Sequence, residues 1–183
     1  MPPLKETIPE LSRQMLALDP GSLAQLRRME VDGPGMPAYW RLATECGFLD
    51  SQPEIWMRVV KIMAILIPRG KRRPDDRLHD GKRRFGAVLC DGGDPDWAGR
   101  GGEVAPIFSE TRLARFLTLS PSRRGEALER LARMLAARRN PASGLNCIEL
   151  AALLISNPNA APLQKIARDY YQRLDAHTRQ EQK

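Results

Sequence analysis

The sequence has few of the residue types from which catalytic sites are usually built. Its 183 residues include only two histidines, three cysteines and 5% aromatic residues. It contains no phosphate-binding loop, dinucleotide fingerprint or nucleophile elbow. His79 lies in a basic segment and His177 in a C-terminus that we expect to fray, so both are interpreted as surface residues rather than general bases. We predict a protein that is not an enzyme, with no catalytic residue, no metal and no cofactor.

The cysteines are too few and too widely spaced to form a disulfide framework or a metal-binding pair. Cys46, Cys90 and Cys147 are odd in number and none belongs to a CxxC motif. This usage is typical of a reducing compartment and predicts a cytoplasmic protein. Cys90 follows apolar residues, so we interpret it as a buried structural thiol.

Long apolar runs are also missing. The longest, at residues 59–67, is interrupted by Lys61 and is too short to cross a bilayer. Residues 1–18 lack the apolar region of a signal peptide. We therefore expect no membrane partner.

No segment alternates apolar and polar residues for long enough to form a strand. Apolar residues instead recur at helical spacing, most clearly at Ile55, Val59, Ile62 and Leu66. The sequence predicts an all-α fold, a compact bundle of about eight or nine helices. The helix starts indicated by caps and prolines are Ser22, Pro37, Ser51, Ser109, Pro121 and Asn146.

Residues 91–106 are the best candidate for a boundary within the bundle. They contain five glycines and two prolines, which predicts a long loop. An N-terminal helical half at 1–90, with a basic loop at 69–84, would precede it. A C-terminal half at 107–176 and a tail at 177–183 would follow.

Positive charge is abundant and concentrated. The net charge is +7, and 23 of the 29 cations are Arg. Residues 69–84 carry eight Lys or Arg against three Asp, so we expect a solvated loop that stays mobile unless an anion orders it. A second basic region spans residues 112–139. Such clustering favours a nucleic-acid partner, although a charge run is also typical of a plain solvated surface.

Two other classes of function stay open. Residues 109–119 and 121–139 have the order of a helix-turn-helix regulator, but the join at 118–121 lacks the usual glycine. A metal-dependent nuclease would need convergent carboxylates, and Asp91, Asp94, Asp96 and Glu103 are the candidates. Their spacing does not match the EF-hand calcium loop, so a solvated acidic loop is the preferred interpretation.

Four segments of the sequence form a distinctive set. They read GSLAQLRR at 21–28, PAYWRL at 37–42, RFGAVL at 84–89 and SETRLARFL at 109–117. Together they resemble the CasB family, the small subunit of the type I-E CRISPR surveillance complex Cascade. A looser similarity continues through 128–135. The segments follow the family's order and extend over most of the chain after residue 19.

The resemblance implies an all-helical, non-catalytic subunit for antiviral defence, present in two copies beside the other Cascade subunits. Basic residues of such a subunit stabilise the R-loop by touching its DNA strands and the guide RNA without reading sequence. Arg27, Arg28, Arg41, Arg84, Arg112 and Arg115 lie inside the matching segments and are the first candidates for this contact. The candidates chosen on charge alone are Arg69, Lys71, Arg72, Arg73, Lys82, Arg83, Arg123 and Arg124.

Overall fold

The computed structural model describes residues 2–70, 72–99, 105–155 and 159–176, and these residues form nine helices. Among them the only β-type pairing is an isolated bridge between His79 and Leu145. The all-α prediction is confirmed. The helices are α1 (Leu4–Ala17), α2 (Pro20–Arg28), α3 (Pro37–Glu45), α4 (Pro53–Leu66), α5 (Phe85–Asp91), α6 (Glu110–Leu117), α7 (Pro121–Arg138), α8 (Cys147–Ile155) and α9 (Ala161–Leu174).

Prolines mark several helix starts, and they correct two of the predicted caps. Helix α2 begins at Pro20, and the Asp19 carboxylate accepts hydrogen bonds from the Ser22 backbone N–H (2.9 Å) and hydroxyl (2.6 Å). Helix α4 begins at Pro53 with Gln52 before it, so neither Ser22 nor Ser51 is a cap. Proline suits the first helical position because its φ is already helical and its missing N–H is not needed there.

Other predicted boundaries are confirmed. Helices α3 and α7 begin at Pro37 and Pro121. Asn146 caps α8, since its side-chain oxygen accepts from the Ile148 N–H at 3.1 Å. The break predicted at 157–158 lies outside the described residues.

Helix α4 is the centre of the core. Its side chains Trp56, Val59 and Ile62 are fully buried, and the helix packs against α2, α7 and α8. Helices from both sides of the 91–106 segment contribute to one apolar cluster. The division into two halves stays a prediction.

Helices α5 and α9 approach each other unusually closely at Gly86. A Cβ atom there would lie 2.3 Å from the Ile166 carbonyl oxygen and 2.9 Å from the Tyr170 nitrogen. Both neighbours are backbone atoms, so only glycine fits without moving a helix. This contact sets the position of α5 and hence of Arg83 and Arg84 just before it.

The described residues of the basic segment 69–84 form a loop, as predicted, but the middle of this loop is anchored. Leu78 is 1% exposed, and its carbonyl accepts from the Leu145 N–H at 3.1 Å. The Asp80 N–H donates in turn to the Leu145 carbonyl at 3.0 Å. These bonds hold the loop to the turn before α8, so it does not need an anion to order it.

His79 is half-buried, which corrects its interpretation as a surface residue. Its Nδ1 accepts a hydrogen bond from the Cys147 N–H at 3.2 Å, and its own N–H donates to the Ser12 hydroxyl. Burial lowers the pKa of His79, although the nearby Asp80 charge opposes the shift. The neutral imidazole therefore takes part in the start of α8.

Arg124 and Arg139 are buried, although Arg124 was predicted to contact nucleic acid and Arg139 lies in the second basic region. The Arg139 guanidinium donates to the carbonyls of Leu66 and Arg77, each at 3.2 Å, and to the Ser143 carbonyl. It therefore satisfies carbonyls that the end of α4 and two loops leave without partners. Burial lowers the pKa of Arg139.

All three cysteines are buried free thiols, which confirms the interpretation of Cys90. Burial raises the pKa of both Cys90 and Cys147 to about 12. Within the described ranges, no helix is long and apolar enough to span a membrane.

Candidate nucleic-acid interface

Three of the predicted contact residues come together in one groove. The groove lies between α2, the end of α4 and α7 and has a volume of about 460 Å³. Arg27, Arg28 and Arg69 line it together with Arg133, and no carboxylate is among the described residues that do so. Its floor is apolar and consists of Ile65, Ile67, Pro68, Ala136 and Ala137. We call it the basic groove.

The charges of the basic groove are close enough to affect one another. The pKa of Arg27 is lowered, first by burial and then by the positive charges of Arg69 and Arg72. Like charges held together without a carboxylate are relieved when an anion binds. The groove is therefore a place of concentrated positive potential.

Arg27 is fixed in place by the end of α4. Its Nε donates to the Ala64 carbonyl at 2.9 Å and its Nη2 to the Ile67 carbonyl at 3.0 Å. The C-terminal carbonyls of a helix lack intrahelical partners and carry partial negative charge, so a guanidinium satisfies them well. Arg27 therefore supplies charge from a rigid position, whereas Arg28 and Arg69 are exposed.

Positive charge also exceeds negative charge just behind the basic groove. The Glu129 carboxylate meets Arg58 at 2.8 Å, Lys61 at 3.2 Å and Arg133 at 3.5 Å. One carboxylate thus faces three cations. The Arg133 side chain remains 55% exposed at the groove despite this contact.

The cations near α5 and α9 are arranged differently, since they are matched by carboxylates. Arg173 binds Asp91 at 2.7 Å, and Arg84 binds Asp169 at 3.0 Å. Lys165 lies 3.2 Å from the same Asp169. We call this region the paired surface, and its members are Arg83, Arg84, Lys165, Arg173, Asp91, Glu149 and Asp169.

Arg112 and Arg115 line a second groove, between α6 and α7, of about 520 Å³. Arg130 lines it as well, and its other described lining residues are apolar. We call it the apolar groove. It shares no lining residue with the basic groove, although α7 contributes to both.

The remaining candidates are spread over the surface or take structural roles. Arg72 donates to the Leu16 and Leu18 carbonyls at the end of α1, and Arg124 is 5% exposed beside the Leu153 carbonyl. Lys71 lies outside the described residues. Arg41, Arg73, Lys82 and Arg123 are exposed and line neither groove.

Sequence reasoning missed Arg130 and Arg133. Both lie on the exposed side of α7, three residues apart, a spacing that places side chains next to each other on a helix. The small residues Ala136 and Ala137, one turn after Arg133, leave room for the basic groove. Two arginines three residues apart, followed one turn later by two alanines, are the sequence pattern that indicates this part of the groove.

The acidic residues around 91–96 are not arranged as a metal centre. Asp91 accepts from Arg173 and from the Gly93 N–H at 2.8 Å, and Asp94 accepts from the Asp96 N–H at 2.9 Å. No group of three possible metal ligands occurs among the residues with described positions. Glu103 lies outside them.

The order of a helix-turn-helix is present, since residues 118–120 join α6 to α7. A recognition helix reads bases mainly with its N-terminal residues. In α7 residues 121–123 are exposed, whereas Arg124 and Gly125 are buried and Gly125 lies against Arg58. One side of this end is therefore taken up by packing, which leaves few residues to enter a groove.

Comparisons with protein-family models, curated proteins and solved structures found no match for the chain. The similarity to CasB stays a prediction from the sequence.

Proposed function

We propose that this protein is a non-catalytic nucleic-acid-binding subunit that holds a strand by its phosphates in the basic groove. The proposal is supported by four guanidinium groups that line one groove, with no carboxylate among the described lining residues. Guanidinium groups bind phosphate through paired, charge-assisted hydrogen bonds. Phosphates are common to every nucleic-acid sequence, so we expect this binding to be independent of sequence.

The resemblance to CasB supports a specific setting for this activity. In an RNA-guided surveillance complex, base pairing reads the sequence, and accessory subunits stabilise the R-loop through backbone contacts. The strand bound here is then the DNA or guide RNA of such a complex, and the partners are the other Cascade subunits and a second copy of this chain. The setting is cytoplasmic.

Strand competition tests the proposal. A short fluorescent single strand is bound to the protein and then displaced by unlabelled single strands of unrelated sequence. We expect all of them to compete equally, because phosphates are common to every sequence. Strong displacement by one particular duplex would contradict the proposal and support a regulator. The absence of any binding at low salt would contradict both.

A further inference from the structure

The floor of the apolar groove has larger apolar side chains than the floor of the basic groove. Phe116, Leu119, Leu131 and Met134 line it, with arginines around them. From α7 the lining residues are Ala127, Arg130, Leu131 and Met134, and from the α6 segment they are Arg112, Arg115, Phe116 and Leu119. Each set follows i, i+3, i+4, i+7 spacing, which is one face of a helix.

Two parallel or crossing helix faces with a gap between them form the usual receptor for a third helix. The α7 residues that line the gap span about 10 Å along the helix, or roughly two turns. That length matches two or three apolar side chains of an incoming helix. Met134 and Leu119 are partly buried and so keep some apolar surface in the groove. Methionine adapts its shape easily to such side chains.

Charge decides which kind of helix fits. Arg112, Arg115 and Arg130 are exposed around the apolar floor, and no carboxylate is among the described lining residues. Arg130 lies 3.7 Å from Glu126, an exposed pair that water screens strongly. An apolar strip flanked by carboxylates complements this arrangement.

The aromatic rings of the groove disfavour a nucleic-acid strand as its occupant. Phe108 is 8% exposed and Phe116 is 3% exposed, so neither presents a free ring face to a base. Stacking on aromatic faces is the main apolar contact that single strands make with proteins. The open part of the floor is aliphatic and thioether surface instead.

We infer that the apolar groove docks an acidic amphipathic helix of a partner protein. The leucine-type side chains of that helix lie on Leu119, Ala127 and Met134, which are only partly buried, and its flanking carboxylates meet Arg112, Arg115 and Arg130. This site is separate from the phosphate site, so either can exist without the other.

A charge-swap experiment tests the inference with two designed helical peptides. Both carry leucines at i, i+3, i+4 and i+7, one with flanking Glu and the other with flanking Lys. Binding to the full-length protein is followed by fluorescence anisotropy. The wild type is expected to bind the Glu peptide at least tenfold more tightly than the Lys peptide. In the variant Arg112→Glu/Arg115→Glu the preference is expected to reverse.

A matched control separates the groove from the overall charge. Arg13→Glu/Arg168→Glu changes the net charge by the same amount at exposed positions on α1 and α9, outside the groove. It should keep the preference of the wild type. Equal binding of the two peptides to the wild type, or no binding of either, would overturn the inference. Displacement of the Glu peptide by single-stranded DNA would overturn it too and assign the groove to nucleic acid.

Discussion

The basic groove and the paired surface both contain several cations. Every cation of the paired surface contacts a carboxylate, whereas among the described lining residues of the basic groove only Arg133 does. On the paired surface Arg84 and Lys165 meet Asp169, and Arg173 meets Asp91. In the basic groove Arg28 and Arg69 line a wall without a described carboxylate. A run of Lys and Arg is therefore a candidate binding site only where the fold leaves those side chains without carboxylate partners. The paired surface holds the fold together, and the basic groove is available to a ligand.

The largest expected loss of stability comes from a substitution at the contact between α5 and α9, beside the paired surface. Gly86→Ala places a methyl group against the Ile166 carbonyl, so the two helices must separate. We expect a loss of about 3 kcal/mol in the free energy of unfolding. Urea unfolding followed by circular dichroism measures it.

Gly125→Ala is the matched control. Its added methyl group meets the Arg58 side chain rather than backbone, so the side chain can shift without moving a helix. A change below about 1 kcal/mol is expected. Equal losses in the two variants would show that the α5–α9 contact is not tight.

A smaller loss of stability is expected when the paired surface loses one cation. Arg173→Ala leaves the Asp91 side chain, 2% exposed, with the Gly93 N–H at 2.8 Å and the more distant Arg83 at 3.9 Å. Loss of the nearest cation from a buried carboxylate predicts a loss of about 2 kcal/mol in the free energy of unfolding. Arg28→Ala in the basic groove should change it by less than about 0.5 kcal/mol. If the two substitutions cost the same in urea unfolding, the distinction between the regions fails.

Substitutions in the basic groove should instead lower the affinity for single-stranded DNA. Arg28→Ala/Arg69→Ala removes two exposed guanidinium groups, and we expect single-stranded DNA to bind about tenfold more weakly, or about 1.4 kcal/mol. Anisotropy titration at fixed salt measures the change. Arg13→Ala/Arg168→Ala has the same net charge and should bind nearly as well as the wild type. A tenfold loss in that control as well would mean that overall charge, rather than the groove, determines affinity.

The smallest expected effect is on the pH dependence of stability, through His79 in the basic loop. The pKa of His79 is lowered in the folded protein, so the unfolded chain takes up the proton first as pH falls. This contribution to stability is complete above the unfolded pKa, about 6.5. It is lost as pH falls through the unfolded pKa and then the folded one.

His79→Asn keeps an acceptor near Nδ1 for the Cys147 N–H but does not titrate. Its melting temperature should fall less than that of the wild type between pH 7 and 5. Parallel melting curves against pH in the two proteins would rule out a titrating role for His79.

Apolar spacing and prolines were enough to predict the fold class and most helix starts. The two caps assigned to Ser22 and Ser51 were wrong, because each precedes or follows a proline that already defines the first turn. The burial of Arg139 was also missed. It depends on carbonyls of Leu66 and Arg77, far away in the sequence, which no local pattern reveals.

The candidate site was predicted in part. Arg27, Arg28 and Arg69 do share a groove, but sequence alone could not separate them from Arg84 or Arg124. The difference lies in tertiary partners, since Asp169 is 85 residues from Arg84 and the Leu153 carbonyl 29 residues from Arg124. The sequence shows where the cations are, whereas only the folded structure shows which of them already have carboxylate or carbonyl partners.

The decisive measurement is the salt dependence of single-stranded DNA binding to the basic groove. Each phosphate contact contributes about −0.7 to the slope of log K against log salt, so four guanidinium groups predict about −2.8 between roughly 50 and 200 mM salt. In Arg28→Ala/Arg69→Ala the slope should become shallower by about 1.4, while Arg13→Ala/Arg168→Ala keeps that of the wild type. An unchanged slope in the groove variant would contradict the account, because it would show that the strand is held elsewhere.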